Sequence, residues 1–305
     1  MMVYLGLLFR PIVFISFSMS VITRVTNGFV SLFSLDRFYA MMNRAYKVFH
    51  DEYYMLHYPF YQNDEDDFFQ SQKNLTNHCL SKISPISGKT VLDVGCGNGI
   101  QGLHISQDHK PGKYIGIDIS AQNIKIAKDI QKEIGNENMV FHIDNAQEIA
   151  NVSDNSIDVV INIESALHYP DKMKFLKEVN RVLKSGGEFM IADVLATRKQ
   201  KAENQKSGKR WGIFHHWTLE EYNRSFPFAD LTLTSTHDIS QSILKGFQNY
   251  KQWFQEKNTK GFIKRWLSDL FIYINAKIYS FMYARTRSYY IFAGIKPVQA
   301  REFKN

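Results

Sequence analysis

The 305-residue sequence has little cysteine, little proline and no membrane-length apolar run. The two cysteines, Cys79 and Cys96, are too few for a disulfide framework or a cysteine-built zinc site, and Cys96 sits inside a glycine loop. A reducing compartment is the expectation. With 7 Pro and 17 Gly against 44% hydrophobic and 14% aromatic residues, the composition excludes a disordered tail and a collagen-like repeat. No internal repeat is apparent. At roughly 150 residues per domain the length suggests one large domain, or a core with an elaborated cap.

Acidic residues are scarce at both ends. Residues 1–35 contain Arg10 and Arg24 and no acid; residues 36–197 hold 16 basic and 22 acidic residues; residues 198–305 hold 19 basic and 8 acidic. The net charge of +7 is thus displaced from an acidic middle onto two basic ends. Near the N-terminus the charge-free run Pro11 to Thr23 covers 13 residues, short of the roughly 20 that span a bilayer. At helical spacing Ser16, Ser20, Thr23 and Asn27 form one stripe, and Ile12, Phe14, Ile15, Phe17 and Met19 fill the remainder. That pattern fits a helix in a membrane interface, or one packed on a partner or on the chain's own core. Residues 15–22 also alternate apolar with Ser, so a strand stays open. A secretory signal fits less well, because the arginine follows the apolar stretch and no small-x-small cleavage site stands out.

Helical patterning is expected from Asp36 to His57 and, after the acidic knot Asp64–Asp67, again to Ile83. Strands are then expected at Thr90–Val94, Tyr114–Asp118, Met139–Ile143, Ile157–Ile163 and Glu188–Ala192, with helices over 121–134 and 172–183 between them. Alternating strands and helices with short connections make a parallel sheet covered on both faces, whose ligands lie at the carboxyl ends of the strands. Beyond Asp193 the alternation stops. Residues 198–210 read as a solvated basic loop, Thr218–Phe226 as a helix, and Leu231–Ile239 and Ser288–Ile295 as strands around a long helical stretch through Trp253, Trp266 and Tyr279.

The sharpest chemical signal is Val91-Leu-Asp-Val-Gly-Cys-Gly-Asn-Gly99. Glycines at 95, 97 and 99 let a strand-to-helix turn pass beneath a ligand, and the helix that follows presents free N–H groups. Asp118 ends the next strand, where a carboxylate can accept from ribose hydroxyls. A nucleoside ligand follows, either a dinucleotide or S-adenosylmethionine.

Further motifs separate the two. V-L-D-V-G-C-G-N-G, G-I-D-I-S, Asp144-Asn145-Ala146, Asn162-Ile-Glu-Ser-Ala-Leu-His-Tyr-Pro-Asp and R-V-L-K-S-G-G together resemble the class I S-adenosylmethionine-dependent methyltransferases, over about Ser84 to Asp193. Within them the sequence is similar to the small-molecule and lipid branch: natural-product sugar, sterol-like and phthiocerol-lipid O-methyltransferases. The resemblance implies an α/β fold, a doubly wound Rossmann-like methyltransferase sheet with N-terminal helices and a C-terminal helical insertion before the last strand. It divides the chain into a hydrophobic segment (1–35), a helical cap (36–83), the cofactor-binding core (84–195) and a lid with the last strands (196–305).

The resemblance also implies roles. Asp93 organises the glycine loop and the methionine ammonium, Gly95 and Gly97 contact the methionyl part, Asp118 holds the ribose and Ile119 packs on adenine. Asp144, with Asn145 beside it, accepts from the adenine amino group, Ala146 donates its N–H, and Asn162 faces the sulfonium. His168 and Asp193, at the ends of the fourth and fifth strands, make a candidate base and its carboxylate. Similar sugar O-methyltransferases carry a His-His pair where this chain has Leu167-His168. His215-His216-Trp217 lacks a third ligand at metal spacing and reads as substrate lining or packing, so no metal is expected.

The expected reaction is O-methylation of a hydrophobic or lipid-like small molecule, with N-methylation of a phospholipid-type amine or C-methylation of an isoprenoid or sterol as alternatives. An RNA methyltransferase is the reading from a different class. Ile163-Glu-Ser-Ala stands where an aromatic-flanked N/D-P-P-Y/F would be needed, so no nucleic acid is expected as a partner. Lys264, Arg265, Lys277, Arg285 and Arg287 among aromatic residues favour an anionic membrane surface. The expected location is cytoplasmic with peripheral membrane association.

Overall fold

The computed structural model describes residues 34–207, 213–248, 280 and 284–298. The hydrophobic stretch up to residue 33 and most of the aromatic, basic stretch after residue 248 lie outside the described residues.

Seven strands form one sheet in the order β3-β2-β1-β4-β5-β7-β6. They are β1 (Thr90–Val94), β2 (Lys113–Asp118), β3 (Met139–Ile143), β4 (Ile157–Ile163), β5 (Leu183–Ala196), β6 (Thr232–Asp238) and β7 (Arg287–Ile295). The first five are parallel, whereas β7 runs antiparallel between β5 and β6. The chain reverses direction across the sheet between β1 and β4, and a crevice opens at their carboxyl ends. Alternate side chains go to opposite faces: Val91, Val159 and Ile161 join one buried cluster, Leu92 and Val160 the other.

The helices are α1 (Leu35–His50), α2 (Phe68–Leu80), α3 (Ile100–Asp108), α4 (Ala121–Ile134), α5 (Lys172–Val182), α6 (Arg198–Ser207), α7 (Leu219–Phe228) and α8 (Ser240–Gln248). Their boundaries follow local chemistry. Asp67, Ser120 and Asp171 cap α2, α4 and α5 by accepting N–H bonds, and Thr218 with Glu221 closes a capping box on α7.

Three boundaries depart from expectation. The first helix ends at His50 with Asp51 left-handed at φ 58°, and an irregular segment takes its place up to Asp67. There the Gln72 amide accepts from Met55 N (3.1 Å) and donates to the Met55 and His57 carbonyls (2.7 and 2.8 Å), replacing the missing helical bonds. Strand β5 extends well beyond 188–192, because β7 pairs with it from Glu188 to Ala196. The basic stretch expected as a loop contains α6, whose Arg198 and Lys201 pair with Glu220 and Glu221 at the start of α7.

Candidate active site

An open cavity of about 870 Å³, its solvent-open mouth included, lies over the carboxyl ends of β1, β2 and β4. Its first wall is the glycine loop. Gly95 N and Cys96 N both donate to the Ile117 carbonyl (2.7 and 3.0 Å), and Gly97 N donates to Asp118 Oδ2 (3.0 Å). Gly95 has φ +78°, and a Cβ there would lie 2.2 Å from Ser165 Oγ. Only glycine brings the loop this close to the β4 end.

Asp118 Oδ1 accepts from Ser120 N (2.8 Å) and Asn123 Nδ2 (3.3 Å). With three donors on about four lone-pair positions, the carboxylate retains acceptor capacity. Burial raises its pKa against the pull of those donors. Beside it Ile119 is 57% exposed at the cavity wall, although apolar.

Asp144 differs from expectation. Its Oδ1 accepts from Asn145 N and Ala150 N, and its Oδ2 from Asn151 N and Nδ2 (2.8–3.1 Å). Burial pushes its pKa up, but the four donors outweigh that and hold it below the carboxylate range. The carboxylate is saturated by its own loop, so it shapes the wall, and no lone pair is left over for an adenine amino group. Asn145 shares that task, its Oδ1 accepting from Gln147 N (3.0 Å). The Ala146 N–H, in contrast, has no acceptor among the described residues.

Asp93 is fully buried, and its Oδ2 takes bonds from Tyr114 Oη (2.5 Å) and Gln101 Nε2 (2.8 Å). Its Oδ1 is buried with no partner, and burial raises its pKa to about 6. Asn162 is also fully buried and does not line the cavity. Its amide nitrogen holds the Val94 carbonyl (2.7 Å), Ser165 Oγ (2.6 Å) and Tyr169 Oη (3.0 Å). It therefore stands one layer behind the wall, and Ser165 and Tyr169 face the space in its place.

These groups suit a nucleoside bearing a cationic amino acid. An orphaned carboxylate oxygen, one layer behind the cavity-lining Gln101, suits the charge of an ammonium; a carboxylate with spare capacity fits ribose hydroxyls, and a free N–H and an exposed Ile on the same cavity wall fit the edge and face of a base.

The second half of the cavity is built on β4. Glu164 has φ +52°, its Oε1 accepts from Tyr58 N (3.0 Å), and burial raises its pKa to about 8. His168, on the 3₁₀ turn Ala166–His168, is 8% exposed. Its Nδ1 lies 2.9 Å from the Ile213 carbonyl and its Nε2 2.7 Å from Tyr39 Oη on α1. A carbonyl can only accept, so Nδ1 carries the proton and the Nε2 lone pair receives the Tyr39 O–H. Burial lowers the His168 pKa to about 4.

Asp193 is not the partner of His168. Fully buried and outside the cavity wall, its carboxylate accepts from Tyr222 Oη (2.6 Å) and Val194 N (2.9 Å). The β5 extension and α7 captured it, and a backbone carbonyl took its place on the histidine. His216 Nδ1 bonds the Val194 carbonyl (2.7 Å), a packing role. Sequence reasoning missed Tyr39 and Ile213, which reach His168 across 129 and 45 residues with no local pattern to reveal them. Ser165 and Tyr169 were legible in principle, lying within the quoted E-S-A-L-H-Y motif.

The methyltransferase-domain family model matches residues 86–258. The chain is 27% identical over 171 residues to a fatty-acid O-methyltransferase of Mycolicibacterium smegmatis, covering 56% of this chain and 54% of that protein. It is 28% identical over 193 residues to 27-O-demethylrifamycin SV methyltransferase of Amycolatopsis mediterranei, covering 61% and 70%. The crystal structure of the [4+2]-cyclase SpnF superposes with a TM-score of 0.69 at 23% identity, over 87% of this chain and 96% of that one. Since that fold carries a cyclase, it cannot alone fix the chemistry. The family match spans more than half of the chain and takes in the glycine loop, Asp118 and His168 together: the chain belongs to the S-adenosylmethionine-dependent methyltransferases.

Proposed function

We propose that this chain methylates a hydroxyl group of a hydrophobic, lipid-like small molecule. The observation that carries the reading is the His168–Tyr39 pair: a neutral imidazole, fixed with Nδ1 protonated, whose Nε2 and bound tyrosine stand at the cavity wall. Gly95, Gly97, Asp93, Asp118, Ile119 and the Ala146 N–H would hold the cofactor, which supplies an electrophilic methyl group when bound. Asp144 and Asn145 form part of that wall, and Asn162 supports it from behind.

Tyr39 Oη offers lone pairs to the acceptor hydroxyl. As the acceptor oxygen loses its proton to Tyr39 Oη, the tyrosine's own proton moves to His168 Nε2, and the Ile213 carbonyl steadies the resulting imidazolium through Nδ1–H. A pKa of about 4 marks a weak base, yet an alcohol oxygen that is being alkylated becomes far more acidic than an imidazolium, so a weak base suffices late in the transfer. Leu35, Met55, Leu56 and Pro170 give the cavity an apolar lining suited to a hydrophobic acceptor. The names of the two relatives support transfer to an oxygen atom. Among the described residues no helix is long and apolar enough to cross a membrane. Docking on an anionic membrane surface in the cytoplasm, through residues 1–35 and the basic C-terminal third, is part of the proposal and rests on the sequence.

The test is mass spectrometry of a cell lipid extract incubated with the enzyme and methyl-labelled cofactor. Label in a methyl ether of a lipid is expected. Label confined to a methyl ester, to amine nitrogen or to carbon would overturn the hydroxyl reading, and absence of S-adenosylhomocysteine binding would overturn the cofactor assignment. His168→Ala should lose turnover while retaining cofactor binding. In flotation with anionic vesicles, equal behaviour of the full chain and a chain starting at residue 36 would reject the membrane role of the N-terminal segment.

A further inference from the structure

Lys172, the first residue of α5, has no solvent exposure. Burying a lysine is costly unless its charge is balanced and its donors are used. Its Nζ donates to the His215 carbonyl and stands 5.8 Å over the Trp217 ring; burial pushes its pKa down to about 8, against the opposing charge of Asp193. Asp193 is itself held by Tyr222. The proton-transfer proposal uses none of these groups directly.

Each of them bears on the segment 213–217. That segment is fixed to the 3₁₀ turn by His215 N on the Leu167 carbonyl (2.7 Å) and to β5 by Ala196 N on the Trp217 carbonyl (2.9 Å). Its first residue supplies the carbonyl that fixes the His168 tautomer, and Phe214 lies against the imidazole at 5.1 Å between ring centres. Lys172 is the one charged side chain among the described residues with a hydrogen bond to this segment. The groups facing His168 are Tyr39 from α1, Lys172 from α5, and His215 and His216 from the segment itself.

We propose that Lys172 is a positioning residue: through its hydrogen bond to the His215 carbonyl it clamps the 213–217 segment so that the Ile213 carbonyl keeps His168 protonated on Nδ1. The inference deepens the proposed role of His168 and rests on it. Its physical content is twofold. The hydrogen bond to the His215 carbonyl sets orientation. The positive charge disfavours the imidazolium, adding to the burial that already lowers the His168 pKa.

Three variants of the full chain separate these effects: Lys172→Arg keeps charge and donor, Lys172→Gln keeps a donor only, and Lys172→Met removes both. The primary readout is nitrogen NMR of labelled histidine, which reports tautomer and titration without turnover; kcat and kcat/KM against pH accompany it. For the wild type and Lys172→Arg, Nε2 is expected to be the unprotonated nitrogen down to about pH 4–5. Lys172→Gln is expected to keep that tautomer while the His168 titration and the acid limb of kcat/KM rise by about half a unit or more. Lys172→Met should show the same rise together with mixed tautomers and at least a tenfold loss of kcat. A His168 titration and tautomer unchanged in both Gln and Met variants would overturn the proposal, even if turnover fell. If Lys172→Met does not fold, the contrast between Gln and Arg still decides. Unchanged turnover in His168→Ala would refute the base reading separately, since the NMR readout does not depend on it.

Discussion

Gly95→Ala gives a sharp test of how the two halves of the cavity are held together. The left-handed backbone at φ +78° costs an L-residue about 1–2 kcal/mol. A Cβ at this position would also lie 2.2 Å from Ser165 Oγ and 2.4 Å from Ser165 Cβ. Neither side can retreat freely. Gly95 N is bonded to the Ile117 carbonyl at 2.7 Å, and Ser165 Oγ is bonded to the Val94 carbonyl (2.9 Å), to Asn162 (2.6 Å) and to Tyr169 (2.6 Å). Overpacking of this kind costs about 1–3 kcal/mol, so a total loss of about 2–5 kcal/mol is expected in urea unfolding, with weakened S-adenosylhomocysteine binding by calorimetry. The second residue supplies the decisive control. Ser165→Gly removes both clashing atoms, so the double variant should recover about 1–3 kcal/mol relative to additivity. Ser165→Ala leaves the 2.4 Å Cβ contact and should recover little. Additive behaviour of Gly95→Ala with Ser165→Gly, or full stability of Gly95→Ala alone, would refute the claim that a close approach to Ser165 dictates the glycine.

Two pH-dependent outcomes follow from buried carboxyls. Burial raises the Asp93 pKa to about 6; under its proposed role its charge supports the ammonium only above that pH, so calorimetric affinity for S-adenosylhomocysteine should fall as pH drops through about 6, whereas Asp93→Asn should be weak and nearly flat with pH. Glu164 has its folded pKa raised from 4.5 to about 8, so the stability it lends as a neutral carboxyl is full below about 4.5 and is lost as pH rises through about 8. Denaturation of Glu164→Gln should lack that decline between pH 5 and 9, and parallel curves for variant and wild type would contradict the assignment.

What the sequence made legible were features that repeat locally. Thr90–Val94 and Ile157–Ile163 announce themselves as strands because buried parallel strands need continuous apolar runs. The glycine loop is visible because positive φ selects a residue type, and the Thr218–Glu221 capping box because its partners lie three residues apart. What stayed hidden depends on distant chain. Residues 198–207 look like solvated loop until Glu220 and Glu221 stand beside them. Asp193 sits at the expected strand end, yet its direction is decided by Tyr222, 29 residues later. Asp144 has the residue type that accepts from adenine, but only the path of residues 145–151 shows that its lone pairs are used.

Helix α1 joins these two kinds of information. Asn43 is 1% exposed, donates to Asn123 Oδ1 (2.8 Å) and accepts from Asn98 Nδ2 (2.8 Å). Asn123 in turn contacts Asp118, and Asn98 belongs to the glycine loop, so one amide bridges both sides of the proposed cofactor site. One helical turn earlier, at i−4 and therefore on the same face, Tyr39 meets His168 at the proposed acceptor site. Neither residue lies in a motif, because the constraint on each is a partner more than 50 residues away. The spacing of four nevertheless ties them: a rotation of α1 that freed Tyr39 from His168 would also pull Asn43 out of the amide chain, and the two halves of the cavity are built to hold their geometry together.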